Sequence, residues 1–241
     1  MKILIFNLII ILFLTFNVNY IQEKKIIINE QIITIENLNN SQLINFNNKL
    51  DKNYIPNNLI KINDLYLNKD LYNNYLNMIK NINNNENIQI VSGYRNYEYQ
   101  NKLFSNKAED KLYSVMPAGT SEHQSGLAID ISINILDYLL ESDLDESNTY
   151  NWLLNNSYKY GFIIRYKKDK IKYTNVIYEP WHLRYVDPII ANLLYDKNWC
   201  LEELYEFLKN NKIKYEYKNK LYLIYLENNI LKQGEIKIYF Y

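Results

Sequence analysis

The chain has 241 residues, which is enough for one domain of ordinary size with extensions. Hydrophobic residues make up 48% of the sequence and charged residues 22%, proportions that are typical of globular proteins and exclude a largely disordered chain. Lysine plus arginine and aspartate plus glutamate number 27 each, so the net charge gives no reason to expect nucleic acid or an anionic membrane surface as a partner.

The N-terminus has the pattern of an export signal. Lys2 precedes a mostly apolar run over residues 3–16, which fits the apolar region of a signal peptide. The run is short for a membrane span, which needs about 20 residues. No clear small-residue cleavage site follows, so residues 1–20 are predicted to be a signal peptide or an uncleaved signal anchor, with a buried N-terminal helix as the alternative. Either export interpretation places the protein in the cell envelope, outside the cytoplasmic membrane.

Residues 21–40 alternate isoleucine with polar residues and then become rich in asparagine, which fits a short strand or a linker, and we assign them as a linker. Residues 41–211 have the pattern of a folded domain, and residues 212–241 that of a C-terminal β-hairpin extension. Apolar periodicity predicts helices over residues 64–82, 97–111, 151–160, 188–195 and 201–209. Alternation predicts strands over residues 88–91, 127–133, 162–166, 181–186, 215–225 and 235–241. This irregular mixture predicts the α+β class.

Glycine, proline, alanine and arginine are scarce in this sequence, which is dominated by asparagine, isoleucine, lysine and tyrosine. The chain has 5 Gly, 4 Pro, 4 Ala and 3 Arg, and all but Pro56 and Gly234 lie within residues 93–191. Because an AT-rich coding sequence loses such residues where it can, their clustering indicates the region in which backbone geometry or chemistry requires them. Both histidines, His123 and His182, lie in this region.

One predicted strand carries Asp130. Because side chains alternate along a strand, Asp130 lies on the face opposite to Ile129 and Ile131. A carboxylate flanked by large apolar side chains is costly to bury unless it is paired or bound to a metal. His123 lies seven residues earlier, across Gly126, which permits a tight turn. A loop entering the strand could therefore bring the imidazole beside the carboxylate.

A second predicted strand starts at Pro180, which cannot donate to a strand ladder. Alternation from there puts His182 and Arg184 on one face, and Glu179 precedes His182 by three residues, an offset that can place its carboxylate beside a metal. Two histidines and one carboxylate leave a fourth position for water, as in catalytic zinc sites, where the water has a pKa near ~7 and a glutamate can take its proton. The alternative is that both histidines are structural and that Asp130 pairs with Arg184.

Arg95 and Cys200 are two further residues whose side chains could take part in chemistry. Arg95 follows a predicted strand at a glycine turn, where its guanidinium could clamp a carboxylate or stabilise an oxyanion. A structural or surface arginine is the alternative. Cys200 is the single cysteine, which excludes a disulfide within the chain. Beside Trp199 it is predicted to be a small buried apolar side chain and not a catalytic thiol.

Four motifs in order resemble the VanY-type D-alanyl-D-alanine carboxypeptidases, which share a metallopeptidase fold with LD-carboxypeptidases of the cell wall. The motifs are SGYR (92–95), SEHQSGLAID (121–130), YGFIIRY (160–166) and EPWHLRYV (179–186). The resemblance covers residues from about 40 to 210. It implies a small α+β domain of the Hedgehog/DD-peptidase type, in which an antiparallel sheet flanked by helices lies beneath a zinc ion.

The resemblance also implies roles for individual residues. The zinc ligands of the family are matched by His123, Asp130 and His182, and its general base is matched by Glu179. The positions that hold the substrate peptide and its terminal carboxylate are matched by Arg95, Gln100 and Ser121, with Arg95 also placed in the catalytic site. The implied activity is a zinc-dependent removal of the C-terminal D-amino acid from the peptidoglycan stem peptide. We expect a monomer that has no nucleic-acid partner.

The sequence departs from the family pattern at two loop positions. Ala118 stands between Pro117 and Gly119, where the family usually has a Pro-Gly pair. Asn175 stands where a glycine is common, although asparagine tolerates a positive φ. Two alternative functions share the fold: a lysin-like peptidoglycan endopeptidase and a non-catalytic zinc-containing binding module. Retention of Glu179 argues against the binding module, since a pure binder has no need of a base. The sequence leaves the choice between D,D and L,D bonds open.

Overall fold

The computed structural model describes residues 28–82, 86–106, 115–134, 137, 140 and 142–240. The predicted export segment, residues 1–20, lies outside the described residues. Within the described ranges, no helix is long and apolar enough to cross a membrane.

Helices and strands follow one another in the mixed order that the α+β class predicts. The strands are β1 (Ile28–Asn37), β2 (Leu59–Ile62), β3 (Leu65–Asn68), β4 (Ile88–Ser92), β5 (Ala128–Ile133), β6 (Phe162–Tyr166), β7 (Glu179–Tyr185), β8 (Ile213–Tyr217), β9 (Lys220–Glu227) and β10 (Ile230–Phe240). The helices are α1 (Lys69–Ile79), α2 (Tyr97–Ser105), α3 (Asn148–Asn156), α4 (Ile171–Thr174), α5 (Pro188–Lys197) and α6 (Leu201–Leu208). A 3-10 helix, Glu122–Ser125, precedes β5.

Four antiparallel strands in the order β4-β5-β7-β6 form what we call the central sheet. One face of it is apolar, because Ile129, Ile131 and Leu183 share a buried cluster with side chains of α1 and α3. Asp130 and His182 alternate with these residues along their strands and therefore lie on the opposite face. The predicted division of the two faces is confirmed.

The predicted helix over residues 64–82 begins later than expected. Residues 65–68 form β3, which pairs with β2, and the helix begins at Lys69. Asn68 caps it, since its side-chain oxygen accepts hydrogen bonds from two backbone N–H groups of the first turn. The expectation was wrong at this end because the two leucines of β3 fit the helical pattern as well as a strand.

The other predicted elements agree more closely with the structure. The helix predicted over residues 97–111 is present over α2, and residues 107–114 lie outside the described residues. After α3 a 3-10 turn leads to Gly161, which has a φ of 82° and ends the helical segment as predicted. A Cβ at Gly161 would lie 2.8 Å from the Tyr185 ring and 2.9 Å from the Val186 carbonyl oxygen, so this turn requires glycine.

The two ends of the described chain meet in a second antiparallel sheet, in the order β1-β10-β9-β8, which we call the extension sheet. Ile224 and Leu231 are at most 1% exposed and pack with side chains of α5 and α6. For residues 21–40, the sequence fits a strand or a linker. The linker assignment is wrong for Ile28–Asn37, because this segment pairs with β10, from Ile28 opposite Phe240 to Asn37 opposite Lys232. Local sequence does not reveal so distant a partner.

The predicted C-terminal hairpin contains one strand more than expected. The strand predicted over residues 215–225 is interrupted by a turn at Lys218 and Asn219, with φ values of 50° and 62°. A second turn, between β9 and β10, has Asn228 and Asn229 at φ values of 51° and 61°. Positive φ at both central residues is the type I′ pattern that suits antiparallel hairpins. Three of the four residues are asparagines, which adopt this region more readily than most side chains.

Candidate metal centre

Asp130 and His182 meet because their strands pair in register. Asp130 on β5 is the direct partner of His182 on the antiparallel strand β7, and side chains of directly opposed residues lie on the same face. Oδ1 of Asp130 lies 3.1 Å from Nδ1 of His182. Both residues are buried. A carboxylate and an imidazole are thus held together away from solvent, on the faces that strand alternation predicted for each of them.

His123 reaches the same carboxylate from the 3-10 helix that precedes β5. This helix ends at Gly126, which has a φ of 72° and where a Cβ would lie 2.9 Å from the Leu59 side chain, so glycine is required. The turn places Nε2 of His123 3.3 Å from Oδ2 of Asp130. Nδ1 of His123 lies 2.6 Å from the carbonyl oxygen of Gly93. Since a carbonyl oxygen only accepts, Nδ1 donates and Nε2 is left free to act as a ligand.

The three side chains form a donor set that fits one metal ion. His123, Asp130 and His182 each offer one ligand atom, and these atoms lie within 4.8 Å of one another. Among the described residues, Nε2 of His123 is buried without a hydrogen-bond partner, and a bound cation would satisfy it. Two imidazole nitrogens and one carboxylate oxygen are ligands that Zn²⁺ accepts in catalytic sites that keep a fourth position open.

Glu179 lies beside this donor set as the first residue of β7. Its Oε2 is 3.8 Å from Nδ1 of His182, and only 7% of the residue is exposed. Burial raises the pKa of Glu179 to about 8, although the neighbouring His182 opposes the rise. A buried carboxylate with a raised pKa, next to a metal donor set, has the properties of a general base.

The carboxylates concentrate negative charge around His182. Burial disfavours its charged form, but hydrogen bonds with Asp130 and Glu122 outweigh burial and raise the pKa of His182 to about 9. In contrast, burial and the nearby Arg95 lower the pKa of His123 to about 4. The excess of negative charge on the His182 side is the electrostatic setting of a cation site.

Of the three residues predicted on the substrate side, Arg95 contacts the donor set. Its Nη2 is 3.8 Å from Oδ2 of Asp130, and its Nε is buried without a hydrogen-bond partner among the described residues. Ser121 is the buried residue immediately before the 3-10 helix that carries the first histidine. Gln100 lies buried on α2 and donates its amide to the Met116 carbonyl oxygen at 2.6 Å, so its observed contact is with a neighbouring loop.

A buried charge network behind the donor set has no counterpart in the sequence-based predictions. Oε1 of Glu122 accepts hydrogen bonds from Arg165 at 2.8 Å and from Arg184 at 2.9 Å. Arg165 also binds Glu202 through two hydrogen bonds of 2.8 and 2.6 Å. The alternative in which Asp130 pairs with Arg184 is wrong, since Arg184 pairs with Glu122 and donates to two backbone carbonyls, those of residues 40 and 42.

Comparison with known families agrees with this geometry. Residues 64–188, just over half of the chain, match the family described as VanY, D-alanyl-D-alanine carboxypeptidase. The chain belongs to the VanY family. The matched span contains all four motifs and all three residues of the candidate donor set. The resemblance and the fold class that the sequence predicted are confirmed.

Relatives of this VanY-family chain match it over about half to three quarters of its residues. YodJ of Bacillus subtilis (strain 168) is 44% identical over 124 residues, which cover 49% of this chain and 45% of YodJ, so the chain spans less than half of that relative. The structure of the LdcB LD-carboxypeptidase is 34% identical, with a TM-score of 0.64, and covers 73% of this chain and 94% of that one. A D,D-pentapeptidase VanY variant in complex with Zn(II) is 28% identical, with a TM-score of 0.57, and covers 68% and 97%.

The two departures from the VanY pattern are accommodated by the backbone. Asn175 has a φ of 56° at the end of α4, so asparagine adopts the left-handed conformation for which glycine is common there. Gly119, next to Ala118, keeps a φ of 83°, and its carbonyl oxygen accepts a hydrogen bond from the Leu50 N–H at 2.8 Å. Neither substitution disturbs the turns.

Proposed function

We propose that this VanY-family chain is a zinc carboxypeptidase that releases the C-terminal D-alanine of peptidoglycan stem peptides. The observation that carries the proposal is the convergence of three buried donors beside a buried glutamate. The proposed ligands are His123, Asp130 and His182, and the proposed base is Glu179. The VanY structure solved with Zn(II) supports zinc as the metal, and the VanY structure in complex with D-alanine-D-alanine supports the substrate class.

The metal and the protein have separate tasks in this proposal. When bound, Zn²⁺ supplies Lewis-acid chemistry, which polarises a carbonyl oxygen and makes a water more acidic. His123 and His182 supply neutral nitrogen ligands, and Asp130 supplies the charged one. Burial of all three keeps competing water away from the donors.

Glu179 moves the proton. As a carboxylate it accepts one proton from the water that attacks the carbonyl carbon of the scissile amide. When the C–N bond breaks, Glu179 returns this proton to the leaving amine nitrogen. Its raised pKa suits both halves of the step, because a base with a pKa near the working pH can also act as an acid.

Arg95 recognises the end of the substrate. A carboxypeptidase has to bind a terminal carboxylate next to the scissile bond, and a guanidinium does so with two parallel hydrogen bonds. Arg95 lies at the edge of the donor set and has a buried Nε without a partner among the described residues, which supports this role. Gln100 and Ser121 complete the proposed substrate side, on the neighbouring α2 and on the turn before His123.

The proposed catalytic domain is residues 41–211, with residues 212–241 as its extension. Because β1, which precedes this domain, pairs with β10 of the extension, an active protein should keep residues 28–241 together. The proposed substrate lies outside the cytoplasmic membrane, which supports export, with residues 1–20 as a cleaved signal or an anchor. We further propose that the protein acts as a monomer.

The test uses the full chain, loaded with zinc and incubated with tetrapeptide and pentapeptide muropeptides. Mass spectrometry is expected to detect release of a single D-alanine, which a chelator abolishes. Glu179→Gln should retain zinc and lose activity by about 10²–10⁴ because proton transfer is removed. Glu216→Gln, at an exposed glutamate of β8, is the matched control and should keep full activity.

The products separate the alternatives. Release from the pentapeptide indicates a D,D-carboxypeptidase, and release from the tetrapeptide an L,D-carboxypeptidase. Cleavage inside the stem would replace the carboxypeptidase by a lysin-like endopeptidase. Stoichiometric zinc without turnover of either muropeptide would leave a binding module and overturn the proposal.

A further inference from the structure

Glu122 stands behind His182, on the side of the imidazole that faces away from Asp130. Oε2 of Glu122 lies 3.4 Å from Nε2 of His182, whereas Oδ1 of Asp130 lies 3.1 Å from Nδ1. The Glu122 side chain has no exposed surface, and that of His182 is 5% exposed. The imidazole is therefore held between two buried carboxylates, of which only one belongs to the proposed ligand set.

Two arginines determine which carboxylate oxygen faces the imidazole. Oε1 of Glu122 accepts from Arg165 and Arg184, and Oε2 is left for His182. Arg165 is itself fixed by its two hydrogen bonds with Glu202. Rotation of the Glu122 carboxylate would break two charged hydrogen bonds inside the protein, so its orientation is set before any metal binds.

Glu122 fixes the tautomer that His182 has when a cation is bound. Both ring nitrogens of His182 face carboxylate oxygens, which accept hydrogen bonds and cannot donate them. A cation held by Asp130 would take the lone pair of Nδ1, and the single ring proton would then stay on Nε2, where Glu122 accepts it. At His123 the Gly93 carbonyl oxygen has the same effect on the opposite nitrogen, since it occupies Nδ1 and frees Nε2.

We propose that Glu122 is a positioning residue for the metal centre, which selects the Nε2–H tautomer of His182 and so presents Nδ1 to Zn²⁺. The inference rests on the proposed zinc site and names the residue that prepares its second histidine. A carboxylate behind a ligating histidine fixes the ring orientation and raises the basicity of the ligand nitrogen. In this proposal, the function of burying Glu122 between two arginines is to hold its carboxylate beside His182.

The first test observes the tautomers in the unsubstituted full chain. The chain has only two histidines, so ¹⁵N labelling of histidine rings gives four nitrogen signals and a simple long-range ¹H–¹⁵N spectrum. In the zinc-loaded protein, His182 is expected to carry its proton on Nε2 and His123 on Nδ1. A proton on Nδ1 of His182, with zinc bound in a one-to-one ratio, would overturn the role of Glu122 and leave the zinc site standing. Failure of the unsubstituted chain to bind zinc would overturn both.

The second test is Glu122→Gln, which preserves shape but changes hydrogen bonding. With the amide oxygen on the arginines, the NH₂ group faces Nε2 of His182, which must then accept and shift its proton to Nδ1. Zinc affinity, measured by competition with a chromophoric chelator, should fall about 10–100-fold. Glu202→Gln is the matched control, because it weakens the other side of Arg165 without touching His182.

The comparison of the two variants separates positioning from a structural role. Zinc affinity in Glu202→Gln should stay close to that of the unsubstituted chain, whereas a similar fall in both variants would mean that the network only supports the fold. If Glu122→Gln fails to fold, the tautomer spectrum of the unsubstituted protein decides the question alone.

Discussion

The central sheet and the extension sheet are both four-stranded and antiparallel, but the ion pairs next to them differ in their exposure to solvent. Beneath the candidate metal centre, the ion pair between Glu122 and Arg184 has side chains with no exposed surface. On the extension sheet, the pair between Lys214 and Glu30 has side chains that are 52% and 42% exposed. Both pairs join segments that are distant in sequence, so connectivity does not account for the difference.

Among the described residues, the most deeply buried arginine–carboxylate pairs, those of Glu122 with Arg165 and Arg184, lie next to the candidate metal centre. Taking ions out of water costs several kcal/mol each, and mutual attraction repays this only with well-placed partners. The extension sheet instead packs on α5 and α6 through buried apolar side chains such as Ile224 and Leu231. Charges are buried beside the donor set, where they orient a proposed ligand.

Breaking the buried ion pair should have the largest effect. Arg184→Met removes one of the two cations that contact Glu122, and we expect a loss of roughly 3–5 kcal/mol of unfolding free energy because a buried charge loses its partner. Urea unfolding of chelator-treated protein measures this without a contribution from bound zinc. A loss below about 1 kcal/mol, the range of exposed pairs, would remove the contrast between the sheets.

Truncating the apolar side of the extension sheet should affect stability and leave the metal centre intact. Ile224 is fully buried, and Ile224→Ala is expected to cost about 2–5 kcal/mol through lost burial and a residual cavity. Zinc affinity of the folded variant should equal that of the unsubstituted chain. Weaker zinc binding by the folded variant would mean that the extension sheet also affects the metal centre, against this expectation.

The exposed pair of the extension sheet should give the smallest effect. Lys214→Met removes the partner of Glu30, and the expected change in unfolding free energy is about 0.2–1 kcal/mol, because solvent screens both charges. Raising the salt concentration should reduce even this difference. A change as large as that of Arg184→Met would contradict this expectation, since the contribution of an ion pair to the unfolding free energy would then not depend on its exposure.

Much of the donor set follows from local sequence, because strand alternation is a local property. Alternation placed Asp130 and His182 on the polar faces of their strands, and the structure confirms both faces. Which residue of β5 opposes His182 depends on strand order and register, which alternation does not determine. The ordered motifs supplied that information through the resemblance to VanY enzymes.

The parts that the sequence did not predict depend on partners far along the chain. Glu122 follows a serine at the start of a short turn, where a glutamate is usually exposed, and only the fold brings Arg165 and Arg184 to it. The scarcity of arginine was a usable signal, since the chain has 3 and all of them contact carboxylates of the site region. The pairing of β1 with β10 had no comparable local signal.

The most direct test of the zinc centre is anomalous diffraction at the zinc edge from crystals of the zinc-loaded chain. We predict one peak, from a zinc ion bound by Nε2 of His123, Nδ1 of His182 and a carboxylate oxygen of Asp130. The zinc–nitrogen distances should be about 2.0–2.1 Å. Glu179 should lie beside the metal without being a ligand. A site without an anomalous peak, or a zinc ion bound elsewhere on the chain, would contradict the account.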